Sequence, residues 1–357
     1  MKNQEGKKRL WREYQKEIAT DRYYFARSCI RQNFFPAAEM YFLKIMKDIL
    51  GKDILDDPRH TTCTGIGYHT DVVPLETIMT VVARQFALMT EAGYKNFVCS
   101  CITSFGIYTE ILETWKEFPE TEERTRDFLR KATGREFQIP ENMAHASDVI
   151  YKFRDDIGAK AKYRLVNKET GMPIKVVDHI GCHYAKMFPH KGVGGAEFPY
   201  VLQGMAESWG GESVDYPERR HCCGFGFRQY MVQANRGYSV TCSKKKFESM
   251  ESYAPDLIIT NCPGCNFFLD RWQYVINDME GKTYGGNGLG IPVLSYDELA
   301  SLLLGYDPWD LGLQVHQTPV ESLLNKIGIE YDPKEKYKGK NGKDLGRPVE
   351  PFHCSVI

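Results

Sequence analysis

The sequence predicts an α/β protein of two pseudo-symmetric, duplicated lobes, each with a parallel sheet and with its key cysteines at the carboxyl ends of strands. Three observations lead there. The chain repeats itself in three blocks that keep the same order. Apolar runs of β type lead into the cysteine-bearing segments, and helical patterns lie between the runs. Strands that alternate with helices build parallel sheets, and ligands of such sheets collect beyond the strands' carboxyl ends.

In the first block, SCIRQNFFP at Cys29 lies over GCHYAKMFP at Cys182, with Phe35 and Pro36 in the places of Phe188 and Pro189. In the second, LDDPRHTTCTGIGY (55–68) lies over VDYPERRHCCGFGF (214–227). Asp56, Pro58, Cys63, Gly65 and Gly67 there match Asp215, Pro217, Cys222, Gly224 and Gly226. In the third, FVCSCITS (97–104) lies over LIITNCPGC (257–265) and pairs Cys101 with Cys262.

The strand runs are RYYFARSC, YKNFVCSC, IKVVDHIGC and DLIITNC. Helices are predicted over 74–92, 106–117, 120–132 before a Thr-Gly stop, 142–156 and 196–208. The expected domains are an N-terminal lobe (1–160), a C-terminal lobe (171–325) and a polar tail (326–357), with 157–172 as the connection. The glycine-rich stretch after Tyr284 precedes the strand IPVLSY. It does not lie between a strand and the following helix, so it is not a dinucleotide loop.

Five cysteines of the second lobe form the pattern C-x39-C-C-G-x37-C-P-G-C: Cys182, Cys222, Cys223, Cys262 and Cys265. A zinc site takes four ligands. A fifth thiol and a vicinal pair therefore point to iron–sulfur chemistry. Gly224 follows the pair because the backbone must come close there. The first lobe keeps Cys29, Cys63 and Cys101, has Thr64 and Ser104 where the second has Cys223 and Cys265, and adds Cys99 opposite Thr260. Four thiolates suit a cubane 4Fe–4S cluster, and the same four suit zinc. Cys242 and Cys354 belong to neither pattern.

Bulk properties narrow the classes. The chain has 357 residues, 42% apolar and 26% charged, with a net charge of −1, which gives no reason to invoke nucleic acid or an anionic membrane. The charged N-terminus has no apolar core and is not expected to be a secretory signal. No apolar run approaches the ~18–20 residues of a transmembrane span. Eleven cysteines in such a chain read as metal or redox thiols of the cytoplasm.

Cys182, Cys222-Cys223-Gly224 and Cys262-Pro263-Gly264-Cys265 resemble the cysteine-rich CCG domain of the heterodisulfide reductase B-subunit family, and 292–316 is similar to that family's usual ending. The resemblance covers roughly residues 20–325 and is most specific in the second lobe. It implies a noncubane 4Fe–4S cluster on Cys182, Cys222, Cys223, Cys262 and Cys265, where a sulfur substrate is reduced or formed. With one intact set, the chain resembles most the divergent B-type subunits of heterodisulfide reductase-like complexes. The first-lobe residues Cys29, Cys63, Cys99 and Cys101 would then hold a second, cubane cluster that relays electrons. Implied partners are a ferredoxin-like C-type subunit, a flavin-bearing A-type subunit, and a sulfur-containing small molecule or carrier. An electron-transfer or assembly subunit without its own substrate site is the alternative. His183 and His221 adjoin ligand cysteines and are candidate proton carriers. Arg219, Arg220 and Lys244–Lys246 are candidates for holding an anion.

Overall fold

The computed structural model describes residues 18–60, 65, 68, 72–184, 199–225, 236–285 and 288–333. Strands β1 (Arg22–Ala26), β2 (Asp53–Leu55), β3 (Asn96–Cys99) and β4 (Asn142–His145) form one sheet in the order β2-β1-β3-β4. Strands β5 (Lys175–His179), β6 (Glu212–Ser213), β7 (Leu257–Thr260) and β8 (Val293–Ser295) form a second in the order β6-β5-β7-β8. All six strand pairings are parallel. The same strand order in both sheets carries the internal repeat from sequence into topology.

Twelve α-helices lie among the described residues. The first lobe has α1 (Cys29–Phe34), α2 (Pro36–Lys44), α3 (Leu75–Glu91), α4 (Ile102–Glu117), α5 (Pro119–Thr133) and α6 (Ala146–Lys152), followed by α7 (Arg154–Lys160). Then come α8 (Val201–Ser208), α9 (Arg236–Glu251), α10 (Pro263–Glu280), α11 (Tyr296–Leu304) and α12 (Glu321–Ile327). The central strands are buried almost throughout: eBBBB in β1 and BBBB in β7, counted residue by residue. A parallel sheet covered on both faces requires such continuous apolar runs, which is why these strands were legible as runs and not as alternations.

Several elements differ from expectation. The helix predicted over 142–156 begins as β4, whose Asn142–His145 pair with Asn96–Cys99, and becomes helical only at Ala146. His145 caps that helix by accepting from the Ser147 N–H at 3.1 Å. The helix predicted from 106 begins at Ile102, directly after Cys101 in extended backbone. α5 ends as the Thr-Gly stop requires, with Gly134 left-handed at φ 71°. α8 begins at Val201, and 196–198 lie outside the described residues.

The chain divides into two compact units. One runs to Arg154 and takes in Ile180–Leu202 and Asn261–Pro263, the segments that follow β5 and β7. The other comprises Asp155–His179, Gln203–Thr260 and Gly264 onward. Residues 157–172 pack within this second unit. The N–H groups of Lys162 and Tyr163 bond to the Leu303 carbonyl at 2.8 and 2.9 Å, and Leu165 is fully buried. The residues from 326 to 333 include the end of α12 and a buried Ile329, while 334–357 lie outside the described residues. Among the described residues, no helix is long and apolar enough to cross a membrane.

Candidate metal centre

Each cysteine-bearing block is a strand, a short turn and the start of a helix, so thiols stand at the positive ends of helix dipoles, where a thiolate is favoured. Cys29 is the first residue of α1, capped by Ser28. Cys99 closes β3 and Cys101 caps α4, and both are buried. The buried carboxylate of Glu39 accepts from the Ser28 N–H at 2.6 Å and from the Ser100 hydroxyl at 2.5 Å, which ties the Cys29 turn to the Cys101 turn. The equivalent turns of the second repeat are tied by one amide: Asn261 Oδ1 accepts from the Gly181 N–H at 2.9 Å. A Cβ at Gly181 would stand 2.8 Å from that of Cys262, so this close approach needs glycine. Buried Arg31 brings positive charge into the same region. Burial first, and then that charge, push His145 well below the usual histidine range.

In the second unit the Cys222-Cys223-Gly224 turn meets the first turn of α10. Cys223 and Cys265 are buried with their sulfurs 3.4 Å apart, and half-buried Cys222 accepts from the Gly224 N–H at 3.4 Å. Gly224 has φ 95°, and a Cβ there would come 2.3 Å from the Ser239 carbonyl oxygen. Ser243 of α9 donates its hydroxyl to the Cys223 carbonyl at 2.5 Å. In the C-P-G-C step, a Cβ on Gly264 would lie 2.7 Å from the Phe225 ring, which packs edge-on against Phe268. Among the described residues, one trio of potential ligands converges with all donor atoms within 4.8 Å: His179, Cys223 and Cys265, all buried.

A fixed charge frame surrounds this trio. Lys246 is fully buried. Its ammonium donates to the Tyr216 hydroxyl at 3.2 Å and to the carbonyls of Glu218 and Arg219 at 2.5 and 3.2 Å. Burial lowers its pKa to about 8, against the opposing pull of Cys223, Cys265 and Asp178. Arg219 turns inward onto Asp178, at 2.5 and 3.0 Å. The Cys223 thiol is pushed well up, first by hydrogen bonding with Cys222 and also by burial, while Cys265 pulls it down. These thiols therefore hold protons until a cation displaces them.

Of the nine predicted ligands, eight lie among the described residues, while Cys63, like Thr64 and Cys354, lies outside them. Ser104, buried, is the third residue of α4, as Cys265 is of α10. The predicted anion-holding run is already engaged: Lys244 binds Glu280, Lys245 binds Glu218 at 3.1 Å, and Lys246 is internal. His221 is exposed and bound to Glu218, while His183 is half-buried. Sequence reasoning did not identify His179, Glu39 or Asn261. It also set Cys242 aside, although the charge of Cys222 reaches it and, after burial, helps to raise its thiol pKa.

Comparison with known proteins agrees with this geometry. Residues 176–270 match the CCG cysteine-rich domain family. The B subunit of the ferredoxin:CoB-CoM heterodisulfide reductase of Methanosarcina acetivorans is 28% identical over 312 residues, 85% of this chain and 95% of that protein. Its counterpart in the ferredoxin/F(420)H(2)-dependent CoB-CoM heterodisulfide reductase of the same organism is 27% identical over 84% of this chain and 95% of its own length. The B subunit of the Methanosarcina mazei ferredoxin:CoB-CoM enzyme is also 27% identical, over 84% and 94%. A solved hypothetical protein from Helicobacter pylori shares the fold at TM-score 0.60 and 11% identity; the match covers 88% of this chain and 57% of that one. With its duplicated sheets, its CCG turn and these relatives, the chain is a divergent protein of the heterodisulfide reductase B type.

Proposed function

We propose that this chain is the iron–sulfur subunit of a heterodisulfide reductase-like complex. In this reading it reduces or forms a disulfide- or persulfide-type bond at Cys182, Cys222, Cys223, Cys262 and Cys265. Those five would hold a noncubane 4Fe–4S cluster, and Cys29, Cys63, Cys99 and Cys101 a cubane one that relays electrons. The convergence of the Cys222-Cys223 turn on Cys265 is the observation that carries the reading, because a buried thiol pair 3.4 Å apart fits shared metal ligation. When bound, such clusters supply one-electron steps and a position for sulfur to bind.

The chain's own residues set the conditions for that chemistry. Cleaving a disulfide, R–S–S–R′ + 2 e⁻ + 2 H⁺ → RSH + R′SH, takes two electrons, assigned here to a ferredoxin-like or flavin-bearing partner, and two protons. His221 adjoins Cys222 at the exposed edge and, with Glu218, has the chemistry to pass a proton in from solvent. Lys246 holds positive charge behind Cys223 and Cys265, offsetting the thiolates that ligate metal. Cys223 and Cys265 exclude water by their burial, while half-buried Cys222 marks the side open to substrate.

One observation favours an electron-transfer role without a substrate site. Arg219, Lys244, Lys245 and Lys246 are engaged inside the protein or with its own acids. EPR of the anaerobically purified protein, oxidised and then treated with small thiols, distinguishes the two roles. A thiol-dependent change in the signal, abolished in Cys223→Ser, is expected for substrate chemistry; a signal indifferent to every thiol supports electron transfer alone.

A further inference from the structure

We propose that His179 is a ligand of the second-lobe metal site, its imidazole nitrogen sharing one metal position with Cys223 and Cys265. The inference deepens the reading above and rests on its assignment of metal to Cys223 and Cys265. A tetrahedral ion with sulfur at about 2.3 Å and nitrogen at about 2.0 Å spaces its donors roughly 3.3–3.8 Å apart. The sulfurs already stand at 3.4 Å, and a His179 ring nitrogen lies within 4.8 Å of both. Small side-chain rotations bring the three onto one ion.

The repeat supplies a second, independent argument. His179 stands three residues before Cys182, where the first lobe has Ala26 three residues before Cys29. In the sheets, Ala26 pairs with Cys99 and His179 pairs with Thr260. Side chains paired on neighbouring parallel strands project from the same face. The last rung of each central strand pair therefore carries one metal donor. The first lobe has it on β3, as Cys99; the second has it on β5, as His179. Thr260 directs its hydroxyl to Asn266 Oδ1 at 3.1 Å, so the β7 side of this rung is turned to structural use. A histidine on the rung where the other lobe has its extra cysteine is what an exchange of donors between adjacent strands produces.

The test uses the full-length chain, prepared metal-free under anaerobic conditions and titrated with Co²⁺ alone. Pulsed EPR compares protein grown with ¹⁵N-labelled histidine and protein grown without it. The expected result is a directly coordinated imidazole nitrogen in the unaltered chain, lost in His179→Gln together with an at least tenfold weaker Co²⁺ site, as for removal of a metal-orienting group. Overturning results are the absence of any coordinated histidine nitrogen in the unaltered chain, or the same coupling persisting in His179→Gln. The unaltered-chain measurement stands even if the variant folds poorly. Iron and sulfide in the natively purified chain judge the cluster reading separately. Iron and sulfide present without imidazole coordination would sink only the His179 assignment. Coordination of imidazole in a chain that carries neither iron nor sulfide would sink only the cluster.

Discussion

At Gly224 the backbone is left-handed at φ 95° and runs against the Ser239 carbonyl, so any side chain meets both backbone strain and a backbone atom 2.3 Å away. Gly224→Ala is expected to cost about 2–4 kcal/mol, from the left-handed penalty plus overpacking. Chemical denaturation measures this, and an unchanged midpoint would contradict the account of the turn. His316 makes a second residue-scale case. It is buried 3.3 Å from Glu298 Oε1 and 3.8 Å from Asp270. Burial opposes its charge, but Glu298 foremost, and then Asp270, raise its pKa from 6.5 to about 9. The two carboxylates respond differently. Burial drives Asp270 up, whereas His316 and Ser295 hold Glu298 below its usual range against burial, so the closer Glu298 is the working partner. A folded pKa above the unfolded one means that the stabilisation is complete below pH 6.5 and is lost as pH rises through about 9. The unfolding free energy should therefore fall across that window by up to about 1.4 kcal/mol per pH unit. His316→Gln should flatten that segment; a slope unchanged in the variant would rule out His316 as its source.

At the scale of elements, the strand–turn–helix unit carries the argument. In both repeats the N–H before the first cysteine is fastened to the turn of the third block, by Glu39 in one and by Asn261 in the other. Glu39→Leu strands a buried N–H and hydroxyl, which costs about 2–4 kcal/mol, and should release metal from the first-lobe cysteines while Cys223 and Cys265 keep theirs. Cobalt spectra of Glu39→Leu and Asn261→Leu should show opposite losses; identical losses would contradict the separate roles. The central strands could be read from sequence because β1, β3, β5 and β7 are apolar runs ending at thiols. β2 (DIL), β4 (NMAH) and β6 (ES) were not foreseen. Such short or polar segments have no strand pattern of their own and are strands only because a neighbour pairs with them. The same pairing overrode the helical pattern at 142–145. His179 was missed because the repeat was aligned on cysteines, and a histidine opposite Ala26 drops out of that comparison.

For the whole molecule, duplication explains both what is shared and what diverges. One topology, β2-β1-β3-β4 and again β6-β5-β7-β8, presents cysteines at the same strand ends. One copy retains the vicinal pair and Cys265; the other has Thr64 and Ser104 in their places and adds Cys99. The central claim is that two clusters of different kinds reside in one chain, with sulfur chemistry at the second. Iron and sulfide counted after anaerobic purification, with EPR on the unaltered chain and on Cys223→Ser, test it most directly. The account predicts about eight irons and two distinguishable signals, with Cys223→Ser losing the second-lobe signal and keeping about four irons. A Cys223→Ser protein that retains both signals and full iron would contradict it.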